Sequence, residues 1–369
     1  MKIIIYFGSM KPAGGIERVI SKHIQFLVEK HEIVLITNDN HPSFYKLPDS
    51  VSHESLDVVL KLDMSSKIKR MWQLFFSFFE TKKKLKEKIK EHNPDVIYVA
   101  GPFALLLIYF TRFSIQKVML TEHSSFSAYN FFYKLIVYTL YGRLKLLTVP
   151  TTDDSRFYYS KGIENHYLPN PLPFYPDITS TLKNKVILNV GRLVDDKRQI
   201  LLIELWAKSK ALKSGWALKI IGEGENEKKI KKLVLKLGLS KSVIIEPNTK
   251  QIKEEYLKAS IFTLTSRTEG FGLALAEAMA CGLPCISFNC PSGPKDIISH
   301  NYSGYLIDEE DYISYIEKLD ELILNYDLRK SISKNARKDI SKFKETQINS
   351  KLNDLVYNTF SKFNKKASK

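Results

Sequence analysis

Short runs of β-branched and apolar residues alternate along this chain with stretches whose apolar positions recur every three or four residues. In the first part the runs are Lys2–Phe7, Ile33–Thr37, Val96–Ala100, Lys117–Thr121 and Leu146–Pro150, and they predict strands. Helical spacing lies between them, as at Ile16, Val19, Ile20, His23 and Leu27. Strands that alternate with helices predict βαβ units and a parallel, doubly wound sheet. Residues 168–174 then read LPNPLPF, and prolines this dense break helix and strand alike, which predicts a linker. The alternation restarts with strands at Val186–Val190, Ala217–Ile221, Val243–Glu246, Ile261–Leu264 and Cys285–Phe288, and helices around 198–210, 225–237, 252–259 and 273–281. The pattern predicts an α/β protein of two Rossmann-like domains, 1–168 and 169–345, followed by a last helix and tail at 346–369. A ligand is expected in the cleft that two such domains face, outside the carboxyl ends of the strands.

One stretch carries unusual chemistry. Residues 267–286 read RTEGFGLALAEAMACGLPCI, and from Gly270 through Pro294 the only charged residue is Glu277. A turn follows the strand Ile261–Leu264, and a helix runs from near Gly272 to the stop at Gly282-Leu283-Pro284. Gly270 and Gly272 let the backbone approach a ligand and leave amides open at the helix start, where an anion such as a phosphate is favoured. The helical neighbours of Glu277 are Leu273, Ala274, Ala280 and Cys281, so its carboxylate needs a partner. Ribose hydroxyls would serve, and so would the amide of a neighbouring loop.

A second constellation, Gly191-Arg192-Leu193-Val194-Asp195-Asp196-Lys197, follows the strand Val186–Val190. Arg192 and Lys197 there can clamp a diphosphate, or pair with Asp195 and Asp196 at the surface. Gly222-Glu223-Gly224-Glu225 lacks the third glycine of a dinucleotide fingerprint, and neither a GxxxxGK[ST] phosphate loop nor a D-x-D metal motif is present. Near the start, Gly14-Gly15 opens a helix, and His123 stands past the end of a strand in Thr121-Glu122-His123-Ser124-Ser125. Either feature alone fits a turn or a structural histidine as well as a site.

Composition narrows the class. The 369 residues are 44% hydrophobic and 26% charged, which suits a soluble globular protein large enough for two cores. The first apolar run is too short for a signal peptide, and Val96–Phe110, broken by Gly101 and Pro102, is too short for a spanning helix. A cytoplasmic location is therefore expected. Cys281, Cys285 and Cys290 have no histidine beside them and read as buried thiols, not a zinc site. The net charge of +16 is local: residues 171–328 carry 21 basic and 21 acidic residues, residues 67–90 carry 9 against 2, and residues 329–369 carry 12 against 3. Without an aromatic groove or a nucleic-acid module, such clusters argue for an anionic docking partner and against nucleic acid.

Together these pieces resemble the family 4 retaining glycosyltransferases of GT-B fold, two Rossmann-like domains facing across a cleft, and above all those of bacterial surface-polysaccharide synthesis. The matching segments are GGIERV at 14–19, EHS at 122–124, LPNP at 168–171, GRLVDDK at 191–197, GEGE at 222–225, EGFGLALAEAMACGLP at 269–284, SGPKDII at 292–298 and NYSGYL at 301–306. The resemblance implies transfer of a hexosyl or N-acetylhexosaminyl unit from a UDP-sugar to a lipid-linked glycan, with no metal or other cofactor. It implies that Glu269 holds hydroxyls of the transferred sugar, that Gly270, Phe271, Gly272 and Leu273 help bind sugar and phosphates, and that Glu277 takes the ribose. Arg192 and Lys197 match cations on the diphosphate, His123 a histidine beside the donor sugar, and Gly15 a glycine at the phosphates. The final helix is implied to return to the N-terminal domain. LPNP stands where many relatives have an asparagine-glycine pair, leaving Asn170 without an assigned role, and Lys295 replaces a small or acidic residue. Readings kept beside this one are a sugar-nucleotide epimerase of the same fold, a soluble disaccharide-forming transferase and a non-enzymatic carbohydrate-binding protein.

One stretch bears on location. Ile68, Trp72, Phe75 and Phe79 fall at helical spacing beside Lys67, Lys69, Arg70 and Lys82–Lys90. An aromatic stripe with basic flanks suits a helix lying on an anionic membrane surface, and equally a domain helix that packs its aromatics inward. The expectation is peripheral binding to the inner face of the plasma membrane.

Overall fold

The computed structural model describes residues 1–58 and 67–366. It contains two compact units: unit 1 comprises Met1–Pro150, Asp154–Pro169 and the chain from Ile348 on, and unit 2 comprises Thr151–Asp153 and Asn170–Gln347.

Unit 1 is built on a parallel sheet of β1 (Lys2–Tyr6), β2 (Glu32–Thr37), β3 (Ser52–Ser55), β4 (Val96–Ala100), β5 (Val118–Thr121), β6 (Leu146–Val149) and β7 (His166–Tyr167). The strand order is β3-β2-β1-β4-β5-β6-β7. β1 is central, with Ile3 opposite both Ile33 and Val96. Ile3, Ile4 and Ile5 are all at most 1% exposed, because a parallel strand between helical layers is covered on both faces. Each such side chain contributes about 1.5–3 kcal/mol by leaving water. The helices are α1 (Gly15–Leu27), α2 (Lys67–His92), α3 (Pro102–Thr111), α4 (Phe131–Leu140) and α5 (Thr152–Ser160). β3 and β7 escape the hydrophobic pattern: Ser52-His53-Glu54-Ser55 has no apolar residue, and β7 is two residues long. Backbone pairing to β2 and β6 makes them strands.

Unit 2 repeats the plan with β8 (Val186–Val190), β9 (Ala217–Ile221), β10 (Val243–Glu246), β11 (Ile261–Leu264), β12 (Cys285–Phe288) and β13 (Gly304–Ile307), in the order β10-β9-β8-β11-β12-β13. Its helices are α6 (Gln199–Lys208), α7 (Glu227–Lys236), α8 (Ile252–Lys258), α9 (Leu273–Ala280), α10 (Pro294–Ile297), α11 (Tyr312–Leu324) and α12 (Tyr326–Ile340). α13 (Glu345–Lys366) passes from unit 2 into unit 1 at Ile348. Thr151–Asp153 group with unit 2 because Asp296 accepts from the Thr152 amide and hydroxyl, the latter at 2.6 Å, and Lys295 pairs with Asp153.

In both units strand order reverses beside the first strand, between β1 and β4 and between β8 and β11. Connections leave a switch point in opposite directions and open a crevice at the carboxyl ends, where ligands of such sheets bind.

Candidate functional site

At the switch point of unit 2 the turn after β8 and the turn after β11 are stitched together. Thr265 Oγ1 donates to the Lys197 carbonyl at 3.0 Å, the Arg267 amide to the Asp196 carbonyl at 2.7 Å, and Thr268 Oγ1 to Asp196 Oδ1 at 2.8 Å. Arg198 adds bonds from Nε to the Thr265 carbonyl at 2.7 Å and from its guanidinium to the Ser266 carbonyl at 3.2 Å. It stands over the Phe288 ring and pairs with Glu309 at 3.3 Å. The backbone of Arg198 is left-handed, φ 50°, a conformation that usually selects glycine. Sequence reasoning passed over Arg198, since an arginine after a charged turn gives no sign of that backbone.

The glycines of GEGE have a packing reason. A Cβ on Gly222 would stand 1.9 Å from the Gly191 carbonyl oxygen, and one on Gly224 2.4 Å from that of Leu193. Only glycine lets the turn after β9 lie against the turn that presents Arg192 and Lys197.

Within this frame Lys197 Nζ and Glu269 Oε1 are 2.6 Å apart, with side chains 19% and 11% exposed, and Ser266 Oγ donates to the same oxygen at 2.6 Å. The proposed leaving-group cation and the proposed sugar-binding carboxylate therefore hold one another. An ammonium has three donors, and Glu269 takes one. Arg192 extends into solvent from the same turn with no ion pair among the described residues. Gly270 and Phe271 lead into Gly272, the left-handed cap of α9 at φ 94°, and Leu273 is the first helical residue. Gly293 packs on this turn so closely that a Cβ would meet the Phe271 carbonyl oxygen at 2.4 Å. Glu277 lies inside α9, only 4% exposed. Cys281, Cys285 and Cys290 are buried free thiols, and burial pushes those of Cys281 and Cys290 up to about 12.

Unit 1 has a cavity of about 210 Å³ at its own switch point, lined by Phe7, Ile16, Gly101, Phe103, His123 and Tyr133 among others. Gly15 is the first residue of α1, directly before Ile16, and is exposed. Burial lowers His123 to about 4, so the ring is neutral, and Nε2 lies 2.9 Å from Thr121 Oγ1. The preceding Glu122 is 2% exposed and accepts hydrogen bonds from the hydroxyls of Tyr129 and Tyr141. Burial raises its carboxyl to about 7, with the Asp154 charge adding to the rise and the tyrosine bonds opposing it. Its weight was not apparent inside the EHS motif, because the tyrosines that meet it lie 7 and 19 residues away.

A third feature is a surface. Trp72 and Phe75 on α2 are 52% and 51% exposed, and Phe79 is exposed too, so the stripe does not pack inward. Phe78 turns to the core instead and meets the rings of Phe103 and Phe110 on α3 at 6.0 and 5.6 Å. Phe110 is half exposed, as are Phe132 and Leu135 on α4, which packs on α3. The side chains of Lys67, Ile68 and Arg70 lie outside the described residues. No helix among the described residues is long and apolar enough to cross a membrane.

Residues 176–339 match the profile of the glycosyl transferases group 1, and residues 13–173 that of glycosyltransferase family 4. The chain is 29% identical to an uncharacterized glycosyltransferase of Haemophilus influenzae over 91% of its own length and 94% of the relative's. It is 26% identical to the amylovoran biosynthesis glycosyltransferase AmsD of Erwinia amylovora, covering 96% and 99%. Identity is 24% to an α-1,4-N-acetyl-D-galactosaminyltransferase of Campylobacter jejuni, named for an undecaprenol-diphosphate-linked GalNAc disaccharide extension of diNAcBac, covering 94% and 96%. Among solved structures, a variant of Staphylococcus aureus TarM, with UDP among its bound molecules, superposes with a TM-score of 0.78 at 14% identity, covering 96% of this chain and 99% of that one. Anabaena HepE with UDP and glucose gives 0.73 at 18%, covering 97% and 100%. Two doubly wound units, the EGFG turn with its buried glutamate, and two adjoining family profiles place this chain: it belongs to the family 4 glycosyltransferases of GT-B fold.

Proposed function

We propose that this glycosyltransferase moves a hexosyl or N-acetylhexosaminyl unit from a UDP-sugar to a hydroxyl of a lipid-linked glycan, with retention, at the cytoplasmic face of a membrane. The observation that carries the reading is the pair of turns at the β8/β11 switch point, which brings Lys197 onto Glu269 beside the glycine cap of α9. Glu277 takes the ribose hydroxyls, and the open amides at the start of α9 take phosphate oxygens. Arg192 and the two other donors of Lys197 neutralise charge on the departing diphosphate. Glu269 takes hydroxyls of the sugar, and its bond to Lys197 orients both groups before the donor arrives. The bond from the anomeric carbon to the diphosphate breaks, the acceptor oxygen bonds on the same face, and the acceptor proton passes to the leaving phosphate oxygen. Two cations and a helix N-terminus supply the charge that a metal would otherwise bring.

The UDP held by TarM and HepE supports the donor class, and the undecaprenol-linked substrate of the Campylobacter relative supports a lipid-linked acceptor. The exposed aromatics of α2 to α4, with Lys82 5.0 Å from the centre of the Phe79 ring, support a peripheral seat on anionic lipid.

The test is a panel of UDP-glucose, UDP-galactose and their N-acetyl forms, scored for thermal stabilisation and slow donor hydrolysis. At least one donor stabilises the wild type and is hydrolysed. Glu277→Ala weakens UDP itself, whereas Glu269→Ala spares UDP and abolishes hydrolysis. Equal UDP affinity in wild type and Glu277→Ala removes the ribose assignment.

A further inference from the structure

Unit 1 contains a line of four hydrogen-bonded side chains that crosses its sheet and ends at the pocket. His23 on α1 places Nδ1 2.9 Å from the Tyr98 hydroxyl on β4. Thr121 Oγ1, at the end of β5, donates to that hydroxyl at 3.0 Å and stands 2.9 Å from His123 Nε2. His23, Tyr98 and Thr121 are each at most 2% exposed, so solvent does not compete for these bonds.

The direction of the Thr121–Tyr98 bond sets the polarity of the line. A hydroxyl has one proton to donate. Thr121 gives its proton to Tyr98, so its oxygen accepts from His123, and Nε2 carries the hydrogen. Tyr98 gives its own proton to His23, whose Nδ1 is therefore a bare lone pair. Burial keeps the Tyr98 hydroxyl protonated by raising it well above its ordinary value. Burial also lowers His123 to about 4 and His23 to about 3, with the His123 ring adding to the fall at His23. Both rings are neutral near pH 7, and tautomer is the one freedom left to them. His123 Nδ1 is buried with no partner among the described residues, on a side chain that lines the pocket. A buried polar atom without a protein partner is completed by water or ligand.

We propose that His23, Tyr98 and Thr121 are positioning residues that hold His123 as a neutral imidazole with its proton on Nε2, so that its contribution to the pocket is a lone pair at Nδ1. His123 then accepts a hydrogen bond from a substrate hydroxyl; it neither protonates a leaving group nor brings positive charge. A hydroxyl satisfies Nδ1, whereas an O-alkylated position leaves it unpaired, which makes the line a selector for free sugar hydroxyls. The choice of sugar rests on the function proposed above; the tautomer does not.

The experiment is nitrogen NMR of the full chain labelled with ¹⁵N-histidine, with ring-carbon correlations to tell the two nitrogens apart. His123 is expected to show hydrogen on Nε2 and a bare Nδ1, unchanged from pH 5.5 to 8. Thr121→Val and Tyr98→Phe are expected to mix the tautomers, while Thr121→Ser, which keeps the hydroxyl, restores the wild-type pattern. Should Tyr98→Phe fail to fold, the Thr121 pair still answers. Hydrogen on Nδ1 in the wild type, titration near the ordinary value of about 6.5, or a pattern indifferent to Thr121→Val overturns the proposal. None of these readouts needs a donor, so failure of the UDP-sugar panel is a separate result.

Discussion

Replacing Glu122 by glutamine removes a titration that burial has displaced far from its usual range. In the folded chain the carboxyl sits at about 7 against an ordinary 4.5. The folded state therefore holds this proton more tightly than the unfolded state. The associated stability is fully present below pH 4.5, is lost as pH rises towards 7, and changes no further above it. At about 1.4 kcal/mol per pH unit, a displacement of this size amounts to about 3 kcal/mol. Glutamine keeps the shape; its carbonyl accepts from one tyrosine hydroxyl and its amide donates to the other. The substitution thus adds a pH-independent offset of about 1 kcal/mol and deletes the pH-dependent part. The assay is urea unfolding of both proteins at pH 5, 6, 7 and 8, followed by exchange protection of the β5 amides, which reports unit 1. Comparing the proteins at each pH cancels every other titrating group. Glu122→Gln is expected to gain on the wild type by about 2.5 kcal/mol between pH 5 and 8, most of it before pH 7. Parallel stability curves for the two proteins would refute the reasoning.

Two further outcomes are expected. Arg192→Ala and Lys197→Ala each lower donor turnover by about 10²-fold, the scale of losing one preorganised charge stabiliser, and turnover survives EDTA; dependence on an added divalent ion would exclude the metal-free step. Replacing Trp72, Phe75 and Phe79 together by serine reduces sedimentation with vesicles containing phosphatidylserine while UDP affinity stays intact. Wild-type binding falls as salt screens the basic flank, and wild-type protein that ignores such vesicles at low salt would exclude the membrane seat.

Much of this could be read in the chain, and the remainder has a common physical reason. Strands such as Ile3–Ile5 and Cys285–Phe288 announce themselves because burial on both faces demands unbroken apolar runs. β3 is invisible because its partner's backbone makes it, not its side chains. The glycines and glutamates around Glu269 and Glu277 are legible because a glycine-rich turn before a helix and a lone charge among alanines are local features. Arg198 is not, since its role comes from carbonyls 67 and 68 residues away. His23 likewise reads as one turn of an amphipathic helix until the fold brings Tyr98 to it across 75 positions.

The passage of α13 into unit 1 bears on how enzymes of this design diversify. Leu352, Val356 and Phe360 are at most 2% exposed, and Lys351 lies 5.3 Å from the centre of the Tyr167 ring. The stretch that encodes α13 therefore supplies part of the hydrophobic core of the first unit. A recombination that exchanges only the leading half between two relatives would strand that segment against a foreign surface and leave leucine- and phenylalanine-sized voids, each worth about 2–5 kcal/mol. Shuffling at the Pro169 junction is thus penalised unless the stretch encoding α13 travels with the rest of the first unit. Inheritance of the first unit is tied to two separate stretches of coding sequence, and new specificities in it are expected to arise by point substitution more readily than by transplantation.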